Sequence, residues 1–182
     1  MNLYGRPRLY YPDRPVTPAE RQRIFARKRA EELQRLWQKL AQKVYHESKR
    51  HDWETPWPVF REYDAEFHFT LDVCATPETA KCTRYFTPAD DGLVQDWGDD
   101  VCWMNPPYGR DIGLWMEKAY RSSHAGATVV CLVPSRTGTA WWHAWVLEKA
   151  EIRHRKGRIT FVGARDPAGF DSVVVIYRPF LV

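Results

Sequence analysis

Apolar residues at helical spacing run through much of the first fifty residues. From Thr17 to about Lys49 they recur every three or four positions, which is the spacing of one helix face. These residues are Leu33, Leu36, Trp37, Leu40, Ala41, Val44 and Tyr45. The segment Thr17-Pro18-Ala19-Glu20 has the residue order of a capping box, in which Thr and Glu each bind the other's backbone N–H. The pattern predicts one long helix over 17–49.

After residue 51, short β-branched and aromatic runs alternate with stretches of helical spacing. Strands are predicted at 67–75, 84–86, 101–104, 127–133, 152–155, 158–162 and 172–178, and helices near 59–63 and at 112–123 and 139–150. Such alternation, closing with successive strands, predicts an α/β fold: a doubly wound, mostly parallel sheet with an antiparallel C-terminal hairpin. The predicted domains are a basic extension and helix at 1–51 and an α/β domain at 52–182.

The predicted strand 101–104 ends abruptly in Asn105-Pro106-Pro107-Tyr108. Neither proline has an N–H for strand pairing, and a residue before proline is held extended, so these four residues predict a stiff loop. Loops at the carboxyl ends of strands are where open α/β sheets bind their ligands. Two interpretations stay open at this point: a proline-rich turn with a structural tyrosine, or a functional site.

The functional interpretation concerns an amine on a flat ring, which is a weak nucleophile because its lone pair is delocalised into the ring. The Asn105 side-chain carbonyl and the Pro106 backbone carbonyl can each accept one N–H of such an amine. Fixing both N–H bonds would direct the lone pair out of the ring plane, towards an electrophile. Tyr108 can stack on the ring face, as aromatic side chains do for flipped-out bases.

Charge is distributed unevenly along the chain. Residues 1–50 hold 13 Lys/Arg against 5 Asp/Glu, whereas residues 51–182 hold 14 against 18. This asymmetry indicates a polyanionic partner contacted by the N-terminal part, with Arg27, Lys28 and Arg35 as candidate phosphate contacts. A packing helix with a solvated charged face and a coiled-coil partner helix remain alternatives.

The sequence lacks the features that are usual for several classes of function. No G-x-G-x-x-G is present, which disfavours NAD, FAD and nucleoside triphosphates but not S-adenosylmethionine, a cofactor without phosphate. No apolar run reaches the roughly 18 residues of a membrane span and no signal-peptide pattern occurs, so a cytosolic protein is predicted. The four cysteines form no C-x-x-C pair, so reduced thiols are expected and no metal site is predicted.

Seven segments in one order, spread over residues 52–179, resemble the phage-type DNA N-6-adenine methyltransferases. They are Trp53-Glu54-Thr55-Pro56, Leu71-Asp72-Val73-Cys74-Ala75, Lys81-Cys82 with Tyr85-Phe86-Thr87, Asp91-Gly92-Leu93 with Asp96-Trp97, Asn105-Pro106-Pro107-Tyr108-Gly109, Leu132-Val133-Pro134-Ser135-Arg136-Thr137, and Gly157-Arg158-Ile159-Thr160-Phe161. The resemblance implies a Rossmann-like methyltransferase domain over 52–182. It also implies a phage or prophage origin and action in the cytoplasm of a bacterial host.

The resemblance also implies site residues. The catalytic set is Asn105, Pro106, Pro107 and Tyr108. The residues expected to bind S-adenosylmethionine are Thr55, Pro56, Asp72 and Ala75. Asp91, or its neighbour Asp90, and Asp96 join them because acidic residues after the second and third strands of a doubly wound sheet can bind ribose and adenine, with solvated turn aspartates as the alternative. The residues expected to contact nucleic acid are Arg136 and Arg158, together with Arg27, Lys28 and Arg35 of the basic helix, which lies outside the family core. Arg136 and Arg158 can equally be structural surface cations.

The expected reaction is methyl transfer from S-adenosylmethionine to the N6 amine of adenine, flipped out of duplex DNA. The same loop also serves methylation of RNA bases and of a protein glutamine amide, since both present a planar nitrogen. A non-catalytic nucleic-acid-binding module is a third interpretation. The sequence predicts no metal and no membrane contact, and it gives no oligomeric state.

Overall fold

The body of the protein is organised on one six-stranded sheet. The computed structural model describes residues 17–47 and 53–179, with side chains for 17–35 and 53–179. In chain order the elements are α1 (Pro18–Glu47), α2 (Trp57–Phe67), β1 (Leu71–Asp72), β2 (Arg84–Tyr85), β3 (Val101–Met104), α3 (Ile112–His124), β4 (Thr128–Pro134), α4 (Ala140–Trp145), β5 (Glu151–His154) and β6 (Ser172–Tyr177).

The strand order is β2-β1-β3-β4-β6-β5. Strands β2, β1, β3 and β4 are parallel to their neighbours, and β6 runs antiparallel to both β4 and β5. Five of the six strands therefore point the same way. The predicted mostly parallel α/β sheet with antiparallel pairing at its C-terminal end is confirmed.

Helices cover both faces of this sheet. The ring of Phe60 on α2 contacts Trp103 at 5.4 Å, and the ring of Tyr120 on α3 contacts Tyr177 at 6.0 Å. Through β4, Tyr177 aligns with Cys102. Because successive residues of a strand point to opposite faces, Trp103 and Tyr177 face opposite sides. The sheet is thus enclosed between α2 and α3, as its apolar central strands require.

Helix α1 starts as its sequence predicts. The Thr17 N–H donates to Glu20 Oε2 at 2.9 Å, and the Glu20 N–H donates to Thr17 Oγ1 at 3.3 Å, so the capping box is formed. The chain divides into two compact units after Trp37, and the predicted domain boundary at 51/52 stays a prediction. Most of the predicted apolar face, from Leu36 onward, lies outside the described side chains.

Three predicted elements differ from the structure. Of the strand predicted over 67–75, only Leu71–Asp72 is strand. Phe67 ends α2 with its ring buried, and His68 has a left-handed φ of 56° that stops the helix. Residues 158–162 form a loop after Gly157, which has φ +80°. The helix predicted over 139–150 covers only Ala140–Trp145, in which Trp142 is buried and His143 is exposed.

All four cysteines are free, as expected for reduced thiols. Cys102 and Cys131 are buried in neighbouring strands, whereas Cys74 and Cys82 are half-buried.

Candidate active site

The order in which strands are added to the sheet reverses between β1 and β3. From β1 the chain goes outward to β2, and then returns to form β3 on the other side of β1. In such folds the crevice at the carboxyl ends of the two central strands is the usual ligand site. Asp72 ends β1, and Asn105 follows directly on β3. The fold therefore brings a predicted cofactor residue and a predicted catalytic residue to one crevice.

The Asn105 amide is fixed at both ends. Its Nδ2 donates a hydrogen bond to the backbone carbonyl of Trp53, and its Oδ1 accepts a hydrogen bond of 2.7 Å from the Tyr108 hydroxyl. An amide that donates on one side and accepts on the other has a defined orientation. Asn105 is half-buried, and its Oδ1 uses one of its two lone pairs in the bond from Tyr108.

Tyr108 lies inside the protein. Its side chain is only 2% exposed, and its ring meets Phe161 and Phe170 edge-on, at 6.1 and 5.6 Å. Burial raises the pKa of the Tyr108 hydroxyl well above its usual value, so this group stays protonated and serves as a donor. Besides Asn105, the Leu132 backbone carbonyl lies 3.1 Å from the hydroxyl oxygen. The stacking role expected of Tyr108 stays a prediction, and it would require the ring face to be uncovered.

The two prolines end the pairing of β3, as the sequence predicts. Pairing of β3 stops at Met104, one residue before Asn105, because neither Pro106 nor Pro107 has an N–H to donate. Pro106 is buried and Pro107 is half-buried.

Asp72 is a buried carboxylate at the end of β1, 3% exposed. Its Oδ1 accepts the Cys74 N–H at 3.3 Å and its Oδ2 accepts the Lys81 N–H at 3.0 Å. Burial raises the pKa of Asp72 to about 6, against the lowering effect of these two N–H groups. The loop after β1 is thus folded around Asp72. Ala75 in this loop is buried and donates its N–H to the Phe86 carbonyl at 3.0 Å.

Thr55 and Pro56 precede α2, where Pro56 is the N-cap residue. Thr55 is 2% exposed, and its hydroxyl has no hydrogen-bond partner within the described chain. A buried hydroxyl without a partner costs about 1–3 kcal/mol. Such an atom next to the Asn105 contact at Trp53 is a candidate ligand contact.

The two predicted acidic residues of the next loop differ in their environment. Asp91 is half-buried with a left-handed φ of 56°, and its Oδ1 accepts the Leu93 N–H at 3.2 Å. Its Oδ2 is buried and has no partner among the described residues, and burial raises its pKa. Asp96 is exposed and accepts the Gly98 N–H at 3.0 Å. Asp91 is therefore the better placed acceptor.

Gly92 explains how this loop comes close to β1. A Cβ at Gly92 would lie 2.1 Å from the Val73 backbone carbonyl, a distance that no side chain tolerates. The backbone approaches the end of β1 where only glycine fits. The buried Trp97 ring donates its Nε1–H to the Gly92 carbonyl at 2.8 Å and holds the loop there.

The predicted nucleic-acid contacts are exposed cations. Arg136 lies in the loop after β4, and Arg158 lies in the loop before β6, with its Nε 3.4 Å from Asp171 Oδ1. On α1, Arg27 pairs with Glu31 at 2.8 Å, and Lys28 and Arg35 are exposed. Their contacts with nucleic acid stay predictions.

Sequence reasoning missed several residues that contact the predicted site. Trp53, Glu54 and Lys81 belong to segments that resemble the family, and this resemblance could have identified them as site residues. Phe170 lies in a loop without a motif. Lys118 on α3 is half-buried, and its positive charge acts on Asp91; its place at helical spacing gave no sign of this.

Comparison with known proteins connects this site to a reaction. The sequence model of one family, "DNA N-6-adenine-methyltransferase (Dam)", matches residues 41–181. The chain belongs to this family. The DNA N-6-adenine-methyltransferase of Haemophilus phage HP1 (strain HP1c1) is 33% identical over 135 residues, or 70% of this chain and 78% of the phage protein. The protein named "Putative methyltransferase YfdM" of Escherichia coli (strain K12) is 33% identical over 78 residues, or 38% of this chain and 86% of that protein.

Membership of the DNA N-6-adenine-methyltransferase family gives the chain its activity, the methylation of adenine N6 in DNA. A methyltransferase of this kind implies S-adenosylmethionine as methyl donor. No group of three or more His, Cys, Asp and Glu in the described ranges is arranged to hold a metal ion. In the same ranges, no helix is long and apolar enough to cross a membrane.

Proposed function

We propose that this DNA N-6-adenine-methyltransferase holds a flipped-out adenine at Asn105–Tyr108. The N6 amine donates one N–H to Asn105 Oδ1 and the other to the Pro106 carbonyl. The observation that carries the proposal is the fixed Asn105 amide, whose nitrogen is bound to Trp53 and whose oxygen is thereby directed away from Trp53. A preset acceptor costs no reorganisation when the amine arrives.

These contacts make the weakly nucleophilic N6 amine able to attack the methyl group. Both N6–H bonds are held, so the lone pair leaves the ring plane, and both acceptors bind more strongly as the amine gains positive charge. The surplus proton leaves N6 after transfer, so a strong base is not required. Tyr108 stacks on the adenine once its ring face is uncovered, and Pro107 keeps the loop stiff.

S-adenosylmethionine, when bound, supplies a methyl group already activated by its sulfonium. Two buried polar atoms without partners among the described residues, Thr55 Oγ1 and Asp91 Oδ2, fit the polar groups of such a cofactor. With them we assign Pro56, Asp72 and Ala75 to the cofactor site, and Asp96 to its exposed rim. Asp72 shapes the loop around the cofactor, since both its oxygens already accept N–H groups.

DNA reaches this crevice as a duplex. Arg136 and Arg158 lie on loops at the same sheet edge as Asn105, because β4 and β5 both end there, and we assign them to phosphate contacts. Arg27, Lys28 and Arg35 supply further phosphate contacts from α1. The enzyme acts in the cytoplasm of a bacterial host, consistent with its phage relative.

The experiment is labelled methyl transfer from S-adenosylmethionine to unmethylated duplex DNA, followed by nucleoside digestion and mass analysis. N6-methyladenine is expected with the wild type and is lost with Asn105→Ala. His143→Ala, an exposed change on α4, is the matched control and keeps full activity. Label in RNA or in a glutamine amide but not in DNA would overturn the proposal in favour of those substrates. Failure to bind S-adenosylmethionine would favour a non-catalytic module.

A further inference from the structure

Lys81 is the buried cation beside the candidate active site. Its side chain is 2% exposed, its Nζ lies 2.9 Å from Glu54 Oε1, and the same nitrogen lies 4.5 Å from the centre of the Trp57 ring. Lysine is almost never buried unless its charge is paired. Burying the Lys81 ammonium costs desolvation energy, and its ion pair with Glu54 offsets this cost. The pair also holds the Glu54 side chain in one place.

Glu54 belongs to the segment that orients the catalytic amide. The residue before it, Trp53, accepts the Asn105 Nδ2 hydrogen bond through its backbone carbonyl. Glu54 itself accepts the Val162 N–H through its backbone carbonyl at 3.0 Å. The Trp53 ring packs on Phe161 at 5.2 Å. A displacement of Glu54 would thus move the acceptor that fixes Asn105 and release the loop beside Tyr108.

Lys81 also contacts the cofactor side of the crevice. Its backbone N–H donates to Asp72 Oδ2 at 3.0 Å. One residue therefore connects the carboxylate that ends β1, through its backbone, with the segment that holds Asn105, through its side chain. We propose that Lys81, acting through Glu54, is a positioning residue that keeps the Asn105 amide in the orientation required for methyl transfer. This proposal rests on the role of Asn105 given above.

The consequence for rate follows from geometry. Removing the ammonium leaves Glu54, whose side chain is 25% exposed, free to turn towards water. Segment 53–54 then depends on its remaining contacts, among them those with Phe161 and Val162. A shift of about 1 Å in a catalytic group can cost up to about a hundredfold in rate. Binding of S-adenosylmethionine should suffer less, because the backbone N–H of residue 81 remains for Asp72.

The test compares Lys81→Met, Glu54→Gln and the double variant. Lys81→Met keeps an unbranched side chain without charge, and Glu54→Gln keeps the shape of the partner, so the second variant carries the test if the first does not fold. We expect kcat for DNA methylation to fall about tenfold or more in each single variant, with the KM for S-adenosylmethionine changed by less than about threefold. The double variant should be no slower than Lys81→Met, since both changes break one link.

The matched control is Arg155→Met, which breaks an ion pair between half-buried Arg155, just after β5, and exposed Glu62 on α2. Arg155 Nη1 lies 2.9 Å from Glu62 Oε2 and 2.8 Å from the Tyr63 hydroxyl. This variant should lose stability and keep the wild-type kcat. If Lys81→Met and Glu54→Gln also keep the wild-type kcat, or if Arg155→Met loses kcat to the same extent, the positioning role is overturned.

Hydrogen exchange of the Val162 amide gives a readout that does not depend on activity. Exchange should become faster in Lys81→Met and Glu54→Gln and stay unchanged in Arg155→Met, because only the first two remove a charge from the pair that holds position 54. Unchanged exchange in both Lys81→Met and Glu54→Gln would overturn the proposal. If the wild type itself failed to methylate DNA, the proposed function would fall, while the exchange experiment would still decide whether Lys81 holds Glu54.

Discussion

The hydroxyl of Tyr108 donates to the side-chain carbonyl of Asn105 at 2.7 Å, and the carbonyl of Leu132 lies 3.1 Å from the same hydroxyl. One proton thus has two acceptors within reach. The adenine amine needs only the second lone pair of Asn105 Oδ1, so the hydroxyl can keep this bond or donate to Leu132. The buried Tyr108 hydroxyl is therefore satisfied with and without substrate.

Tyr108→Phe should slow methyl transfer while leaving the cofactor site intact. The change removes only the hydroxyl, so the Asn105 amide keeps its bond to Trp53 and loses its second restraint. We expect kcat to fall about tenfold with the dissociation constant for S-adenosylmethionine unchanged, as measured by single-turnover kinetics and calorimetry. Tyr108→Ala, which also removes the ring, should be much slower. Equal rates for Tyr108→Phe and the wild type would show that the hydroxyl has no catalytic effect.

Asn105→Asp isolates the contact with Trp53. A carboxylate still presents an oxygen to the adenine amine, but its second oxygen would face the Trp53 carbonyl and be repelled by it. We expect a loss of about tenfold or more in kcat/KM for DNA, partly recovered at low pH as the carboxyl group protonates and donates to Trp53. A pH–rate profile of this variant measures the effect, and a flat profile at wild-type level would contradict it.

Thr55→Val separates binding from stability. The Thr55 hydroxyl is buried without a partner among the described residues, so its removal should not lower the melting temperature. If that hydroxyl binds the cofactor, the dissociation constant for S-adenosylmethionine should rise about tenfold. Thermal unfolding and calorimetry check the two parts. A destabilised variant with unchanged affinity would assign Thr55 a packing role.

Asp72 makes stability depend on pH. Its pKa in the folded protein is about 6, raised from 3.8 mainly by burial, so between these values the folded state binds more protons than the unfolded state. The free energy of unfolding should therefore fall as the pH rises from about 4 to about 6. The destabilising contribution of Asp72 is about 3 kcal/mol, absent below pH 4 and complete above pH 6.

The comparison with Asp72→Asn measures this contribution. Asparagine at position 72 does not titrate. The difference between the free energies of unfolding of the wild type and the variant should therefore change with pH across that window. Denaturant unfolding at pH 4, 5, 6 and 7 supplies the values. A difference that stays constant with pH would show that Asp72 has the same pKa in the folded and unfolded states.

Replacing Arg27, Lys28 and Arg35 by alanine should weaken binding of DNA of any sequence. If these cations bind phosphates, the apparent KM for DNA rises, and the slope of log affinity against log salt becomes smaller by up to about 0.9 for each phosphate no longer neutralised. The kcat at saturating DNA should not change. Fluorescence anisotropy at several salt concentrations is the measurement, with an unchanged slope as the contrary result.

Local physics explains which features could be predicted from the sequence. The end of β3 at Met104 was predictable because a proline lacks its N–H wherever it stands. Phe67 was assigned to a strand because an aromatic residue suits a buried helix end and a strand equally well. The hydrogen bond between Asn105 and Trp53 joins residues 52 positions apart, which no local pattern reveals. The fold class and the stiff loop after β3 could be predicted from the sequence, whereas the contacts that orient Asn105 required coordinates.

The position of β6 sets an order of assembly. This strand lies between β4 and β5, and every one of its residues is buried. Within the described sheet, β5 has β6 as its sole neighbouring strand, although β5 comes earlier in the chain. During synthesis, β5 must therefore leave the ribosome and wait without a partner until residues 172–177 have emerged and inserted beside β4.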